Sequence, residues 1–110
     1  MGQPTKTQAE QFDMLFPMLK AVAEEIRELS KKKQDGVLNQ IKVKAINRIL
    51  AKVKAILNDD PTVEFLDLLD EIELPTNSDA VLMIAQFEAA MKQFKAKYYS
   101  NFDERWVTKG

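Results

Sequence analysis

Apolar residues recur at intervals of three and four along most of the chain, and this spacing constrains the fold more strongly than any other feature of the sequence. Such intervals place side chains on one face of an α-helix, whereas a half-buried strand requires alternation of apolar and polar residues. Only three glycines and four prolines occur in 110 residues, so few positions interrupt a helix. The sequence therefore predicts an all-α protein.

The breaks between the apolar stripes predict four helices, at about residues 7–34, 37–58, 61–73 and 78–99. Thr7, followed three residues later by Glu10, is the capping-box pattern at the start of the first helix. Pro17 lies within the same helix and predicts a kink, because proline cannot donate the backbone hydrogen bond of a helix interior. The turns between the helices are short and polar, which favours a small up-down bundle.

The length of the chain and its ends complete the expected architecture. A chain of 110 residues can bury a core without disulfides or a structural metal, so we expect a single domain over residues 1–110. Residues 1–6 and 108–110 lie outside the helical pattern and are predicted to be flexible ends. Phe102 and Trp106 lie one turn apart in a short aromatic tail, so a final helical turn would present both rings on one surface.

The charged residues fall into two blocks, although the formal net charge of the whole chain is only −1. Residues 31–54 contain eight cations and one acid, and residues 59–79 contain eight acids and no cation. Two oppositely charged surfaces orient a binding partner and raise its association rate. We therefore expect a non-catalytic protein-interaction module of the regulatory, adaptor or inhibitor type.

The acidic third helix and the aromatic tail are the expected contact elements for a protein partner. Intervals of three and four place several acids on one face of that helix, and tryptophan is frequent among residues that dominate binding energies. The predicted protein-binding residues are Glu64, Asp67, Asp70, Glu71, Phe102 and Trp106. The tail can alternatively clamp the end of the bundle.

The second helix carries a basic stripe at intervals of four, formed by Lys44, Arg48 and Lys52. The favoured interpretation is that these cations are either solvated or paired within the chain. If the second and third helices fold back antiparallel, Lys52 pairs with Glu64, Arg48 with Asp67 and Lys44 with Glu71. If the stripe is free, it predicts salt-sensitive nucleic-acid binding, with Lys54 placed on the same outer side.

The fourth helix carries an apolar seam, formed by Ile84, Phe87, Met91, Phe94 and Tyr98. We expect this seam in the core, because a bundle of this size needs all its apolar stripes. The alternative is a contact between two copies of the chain, in a self-assembling helical protein.

The chain contains no histidine and no cysteine, which removes the usual proton shuttle, the commonest metal ligand and the thiol nucleophile. It also contains no glycine-rich phosphate loop and no nucleophile elbow, so we expect no enzymatic activity and no cofactor. The acids of the third helix lack the loop pattern of a calcium site, so no metal is expected. Neither a signal-peptide pattern nor a run of about 18 apolar residues occurs, so the expected location is cytoplasmic, without membrane contact.

Overall fold

The computed structural model describes residues 2–109, most of which are helical. Within these residues the three α-helices are α1 (Lys6–Lys32), α2 (Gln40–Ile56) and α3 (Asn77–Tyr98). A 3-10 helix covers Pro61–Phe65, and two short C-terminal strands are β1 (Tyr99–Ser100) and β2 (Arg105–Trp106). The predicted predominance of helix is confirmed, but the predicted number of four helices is corrected to three α-helices and a strand pair.

The start of α1 is set by a capping box that lies two residues before the predicted one. Thr5 Oγ1 accepts a hydrogen bond from the Gln8 backbone N–H at 3.1 Å, and Gln8 Oε1 accepts one from the Thr5 N–H at 2.8 Å. Glutamine closes a capping box in the same way as glutamate, so Thr5 rather than Thr7 is the N-cap. Pro17 lies inside the continuous helix, on its exposed side.

α1 packs against both α2 and α3, and both of these helices run antiparallel to it. Asn77 Nδ2 donates to the Lys33 carbonyl at 2.8 Å, which places the start of α3 beside the end of α1. At the other end of the molecule, the rings of Phe12 and Phe94 stack with centroids 5.8 Å apart. α2 and α3 therefore run parallel to each other, joined by the long connection over residues 57–76. The expected up-down path holds from α1 to α2 but not from α2 to α3.

The hydrophobic core lies between the three helices and includes the apolar seam of α3. Ile84, Phe87 and Met91 are fully buried, Phe94 is 5% exposed, and Tyr98 packs against this core while half-buried. The seam is therefore a core element, and the alternative of a contact between two copies along this seam is wrong because its side chains are covered by the same chain.

The third helix predicted over residues 61–73 is wrong. After the 3-10 helix the backbone is non-helical from Leu66 to Thr76, and we call this stretch the return segment because it leads back along α2 to the start of α3. Leu66 and Leu69 are buried, but Ile72, which continues their three-residue spacing and would share their face in a helix, is 89% exposed.

The acidic sequence of the return segment explains the absence of a helix. Acids at intervals of three and four repel one another, and acids near a helix C-terminus oppose the helix dipole. The Asp70 side chain instead accepts hydrogen bonds from the backbone N–H groups of Ile72 and Glu73, both at 2.8 Å. This local capture of backbone donors competes with helix formation and fixes a turn.

The C-terminal tail forms a short antiparallel hairpin instead of the predicted helical turn. Tyr99 pairs with Trp106 and Ser100 pairs with Arg105. Phe102 lies in the connecting turn and is 97% exposed, whereas Trp106 is half-buried. The two rings therefore do not form the common surface that a helical turn would have given them.

The two ends of the described chain meet beside the hairpin. The backbone N–H of Lys109 donates to the carbonyl of the buried Pro4 at 3.0 Å. Met1 and Gly110 lie outside the described residues. The flexibility of the ends and the single-domain organisation stay predictions.

Candidate functional site

The return segment is held on α2 by the side chain of Asn47, which is only 5% exposed. Asn47 Oδ1 accepts from the Leu69 backbone N–H at 2.9 Å, and Asn47 Nδ2 donates to the Leu69 carbonyl at 2.8 Å. Nδ2 also donates to Glu71 Oε2 at 3.1 Å, and Gln40 Nε2 donates to the Glu71 carbonyl at 3.0 Å. One amide thus satisfies both backbone groups of a buried leucine and fixes the position of the acidic residues beside it.

An acid-rimmed apolar groove lies between the return segment and the first turns of α3, with a volume of about 570 Å³. We call it the acidic groove, and its lining residues are Leu68, Asp70, Glu73, Leu74, Pro75, Thr76, Asp79, Leu82 and Met83. Leu68 is 40% exposed and Leu82 is 62% exposed, so much of its apolar surface faces water. Three carboxylates and no cation line it within residues 2–109.

Asp70 is held rigidly at the rim of the acidic groove. The backbone N–H groups of Ile72 and then Glu73 donate to its carboxylate and lower its pKa. Hydrogen bonds that stabilise the charged form of an acid have this effect. The rim therefore keeps one fixed negative charge under all near-neutral conditions.

The other predicted acidic residues are not gathered in this groove. Glu64 lies in the 3-10 helix, Asp67 is exposed on the return segment, and Glu71 is turned toward Asn47. Because the predicted helix does not form, these acids do not share a helical face. Of the four predicted acids, only Asp70 lines the acidic groove.

The basic stripe of α2 is exposed and lacks the predicted acidic partners. Among the described residues, the ion pairs within 4.0 Å join Arg27 with Glu24 and Glu88, Lys31 with Glu28, and Lys97 with Asp60. The predicted pairing of the stripe with Glu64, Asp67 and Glu71 is therefore wrong. The pairing required a helical acidic face, which the extended return segment does not provide.

Lys54 does not belong to the basic stripe. It lies two residues after Lys52, which places it about 160° around the helix. It is also partly buried, whereas Lys44, Arg48 and Lys52 are exposed. Of the four cations predicted to bind nucleic acid, Lys44, Arg48 and Lys52 therefore form the stripe.

A second apolar groove, between α1 and α2, is rimmed by cations. We call it the basic groove; a wider part of about 390 Å³ is lined by Met14, Leu15, Met18, Ala45, Arg48, Ile49 and Lys52. A narrower part of about 120 Å³ is lined by Val22, Glu25, Ile26, Lys42, Ala45, Ile46 and Ile49. The apolar spacing does not reveal this groove, because it identifies the helical face that is buried and not the apolar side chains left at its edge. The exposed methionines, one turn apart on α1, are the signal that points to it.

The aromatic tail lies far from the acidic groove. The ring of Trp106 packs edge-on against Phe12 at 4.8 Å and Tyr99 at 5.5 Å, and its Nε1–H donates to both oxygens of Asp13 at 3.1 Å. Trp106 therefore clamps the end of the helices, while Phe102 stays exposed. The part of α3 from Met83, which lines the acidic groove, to Tyr98 is about 23 Å of helix and separates this end from the groove.

Two partly buried ion pairs support the helices without lining either groove. Arg27 Nη1 donates to Glu88 Oε1 at 3.0 Å, and Lys97 Nζ donates to Asp60 Oδ2 at 3.1 Å. Burial raises the pKa of Asp60, but hydrogen bonds from the side chain and backbone of Thr62 and from Lys97 outweigh this effect, so its pKa lies below the ordinary value. We interpret both pairs as structural because each joins separate elements of the fold.

No group of three or more acidic side chains in the described part of the chain is arranged to hold a metal ion. No helix within residues 2–109 is long and apolar enough to cross a membrane. No protein-family model, curated protein or solved structure matches this chain. The functional evidence therefore comes from its two grooves and their charges.

Proposed function

We propose that this protein is a non-catalytic interaction module whose acidic groove binds a basic, partly apolar segment of a protein partner. The observation that supports this proposal is the exposure of Leu68 and Leu82 in a groove rimmed by three carboxylates. Apolar contacts supply most of the affinity of such a site, and the charges select and orient the partner.

The rigidity of the return segment also favours binding. Asn47 fixes the backbone at Leu69, and Asp70 fixes the backbone of the next turn. A groove that is already ordered loses little conformational entropy when it is occupied. A regulatory, adaptor or inhibitor role requires this kind of stable surface and no catalytic group.

The proposal is tested by capturing partners from host cells with the wild-type protein and with the double variant Glu73→Lys, Leu82→Asp. The matched control is Glu10→Lys, Val107→Asp, which makes the same charge reversal and a similar apolar-to-aspartate change at exposed positions outside the groove. We expect at least one protein to be retained by the wild type and the control and lost by the groove variant. Calorimetry with purified proteins should show that this captured protein binds the groove variant about tenfold or more weakly than it binds the wild type.

A separate variant, Phe102→Ala, tests whether the exposed ring of the hairpin contributes to the same contact. Because Phe102 lies at the opposite end of α3, we expect it to leave this affinity unchanged. If every captured protein is retained equally by the wild type and the groove variant, the acidic groove is not the contact surface.

A further inference from the structure

The basic groove is a continuous surface of defined length. Its two parts share Ala45 and Ile49 and extend along α2 from Lys42 to Lys52. At a rise of about 1.5 Å per residue this distance is about 15 Å, which corresponds to about three turns of a helix lying in the groove.

The floor of the basic groove is apolar and accessible. Met14 is 58% exposed and Met18 is 46% exposed, while the other large apolar residues of α1 are buried or partly buried against the core. Methionine side chains are flexible and polarisable, and methionine is enriched in the cores of protein interfaces. These two side chains are therefore available to a ligand without any change in the core.

The rim of the basic groove carries cations that have no partner within the described chain. Arg48 and Lys52 line the wider part and Lys42 lines the narrower part, against one acid, Glu25. None of these three cations forms an ion pair within 4.0 Å among residues 2–109. A ligand that covers the groove has to supply negative charges to them, because covering an unpaired charge is costly.

We infer that the basic groove binds an acidic amphipathic helix of about three turns from a protein partner, at a site separate from the acidic groove. The apolar face of the helix lies on Met14, Met18 and Ile49, and its carboxylates face Arg48 and Lys52. Laying an amphipathic helix into an apolar groove is a common mode of peptide recognition.

A nucleic acid and a second copy of this chain both fit the basic groove less well than an acidic amphipathic helix. A nucleic acid would place charged phosphates over the exposed methionines, whereas phosphate binding uses cations without an apolar floor. A second copy of this chain would offer its return segment, but hydrogen bonds to Asn47 hold that segment extended on its own α2, with Leu66 and Leu69 buried. Neither a nucleic acid nor the return segment presents an apolar helical stripe with acids beside it.

The test uses the full-length protein and a designed fluorescent peptide of about 11 residues, with leucine at helical spacing and glutamate at the other positions. Two control peptides contain lysine in place of glutamate, or the acidic composition in scrambled order. Fluorescence anisotropy should show that the acidic amphipathic peptide binds most tightly, and that its affinity falls as salt rises.

Two double variants locate the binding site. Arg48→Glu, Lys52→Glu should weaken the acidic peptide about tenfold or more, and Met14→Ser, Met18→Ser should weaken it through the floor alone. The matched control, Lys6→Glu, Lys92→Glu, reverses two exposed cations outside the groove and should have no effect beyond about twofold. Far-UV circular dichroism verifies that each variant is folded.

Four results would overturn the inference. In the first, the scrambled acidic peptide binds as tightly as the amphipathic one. In the second, the two groove variants bind the amphipathic peptide as tightly as the control variant Lys6→Glu, Lys92→Glu does. Mixed-sequence DNA, but not the peptide, binds in a manner that depends on Arg48 and Lys52. Sedimentation shows a dimer of the 12.6 kDa chain that the Arg48→Glu, Lys52→Glu variant dissociates. The acidic-groove variant Glu73→Lys, Leu82→Asp should bind the peptide normally, because its substitutions lie outside the basic groove. Binding by the basic groove can therefore fail or succeed independently of partner binding by the acidic groove.

Discussion

Replacing Asn47 by alanine tests the contact that determines the position of the return segment. The change removes both hydrogen bonds to Leu69, whose side chain is 3% exposed, and leaves the Leu69 N–H and carbonyl without partners. An unsatisfied buried group costs about 1–3 kcal/mol. Water can reach the segment from its outer side, so we take the lower half of this range and expect a total loss of about 2–4 kcal/mol.

Detachment of the return segment would be the alternative response to Asn47→Ala. It would expose Leu66 and Leu69, each of which contributes about 1.5–3 kcal/mol through burial. Detachment therefore costs about 3–6 kcal/mol, somewhat more than leaving two polar groups poorly hydrated. We expect the segment of the variant to stay in place but to open more often.

Urea unfolding followed by circular dichroism measures the loss of stability, and hydrogen exchange of the Leu69 amide measures local opening. The protection of this amide should fall about 30-fold or more, since 1.4 kcal/mol corresponds to a factor of ten. Gln40→Ala is the control, because its exposed side chain donates only one hydrogen bond to the segment, and it should cost less than about 1 kcal/mol. An Asn47→Ala variant as stable as Gln40→Ala, with unchanged Leu69 protection, would refute the reasoning.

Two further predictions concern the other end of the molecule. The pKa of folded Asp60 lies below its ordinary value of 3.8, so its stabilisation is complete above that pH and is lost as the pH falls through the folded value. Asp60→Asn should thus lower the free energy of unfolding at pH 7, and this free energy should fall less steeply between about pH 5 and 2 than that of the wild type. Urea titrations at each pH measure both proteins, and parallel pH dependences of the two would contradict the prediction. Trp106→Ala should cost about 2–3 kcal/mol and Phe102→Ala less than about 0.5 kcal/mol, and equal losses in the same assay would contradict the clamp at Trp106.

Apolar periodicity was sufficient to predict the three long helices. In each of them the apolar residues recur at intervals of three and four, and only a helix places residues at these intervals on one buried face. The predicted ranges 7–34, 37–58 and 78–99 differ from the observed helices by between one and three residues at each end. These differences arise from caps: Thr5, Asn39 and Thr76 each accept a backbone N–H, and several neighbouring residues could do so equally well by sequence.

The acidic segment was mispredicted because its apolar spacing fits a helix while its polar residues oppose one. Leu66 and Leu69 are buried in the structure as a helix would bury them. The side chain that selects the extended form, Asn47, lies 22 residues away along the chain. An asparagine between Ile46 and Leu50 on the buried side of a helix is a local signal of a polar partner, but it does not identify that partner.

The extended form of the return segment also determines what the surface can bind. A helix over residues 61–73 would have placed its acids opposite the basic stripe and neutralised both charges. The observed segment crosses α2 at Gln40 and Asn47, and Lys44, Arg48 and Lys52 lie about 60°, 100° and 140° around the helix from Asn47, toward the groove with α1. Arg48 and Lys52 therefore remain beside Met14 and Met18, while the carboxylates of Asp70 and Glu73 line the groove with α3. One buried amide thus separates two oppositely charged, partly apolar grooves on a chain whose net charge is near zero.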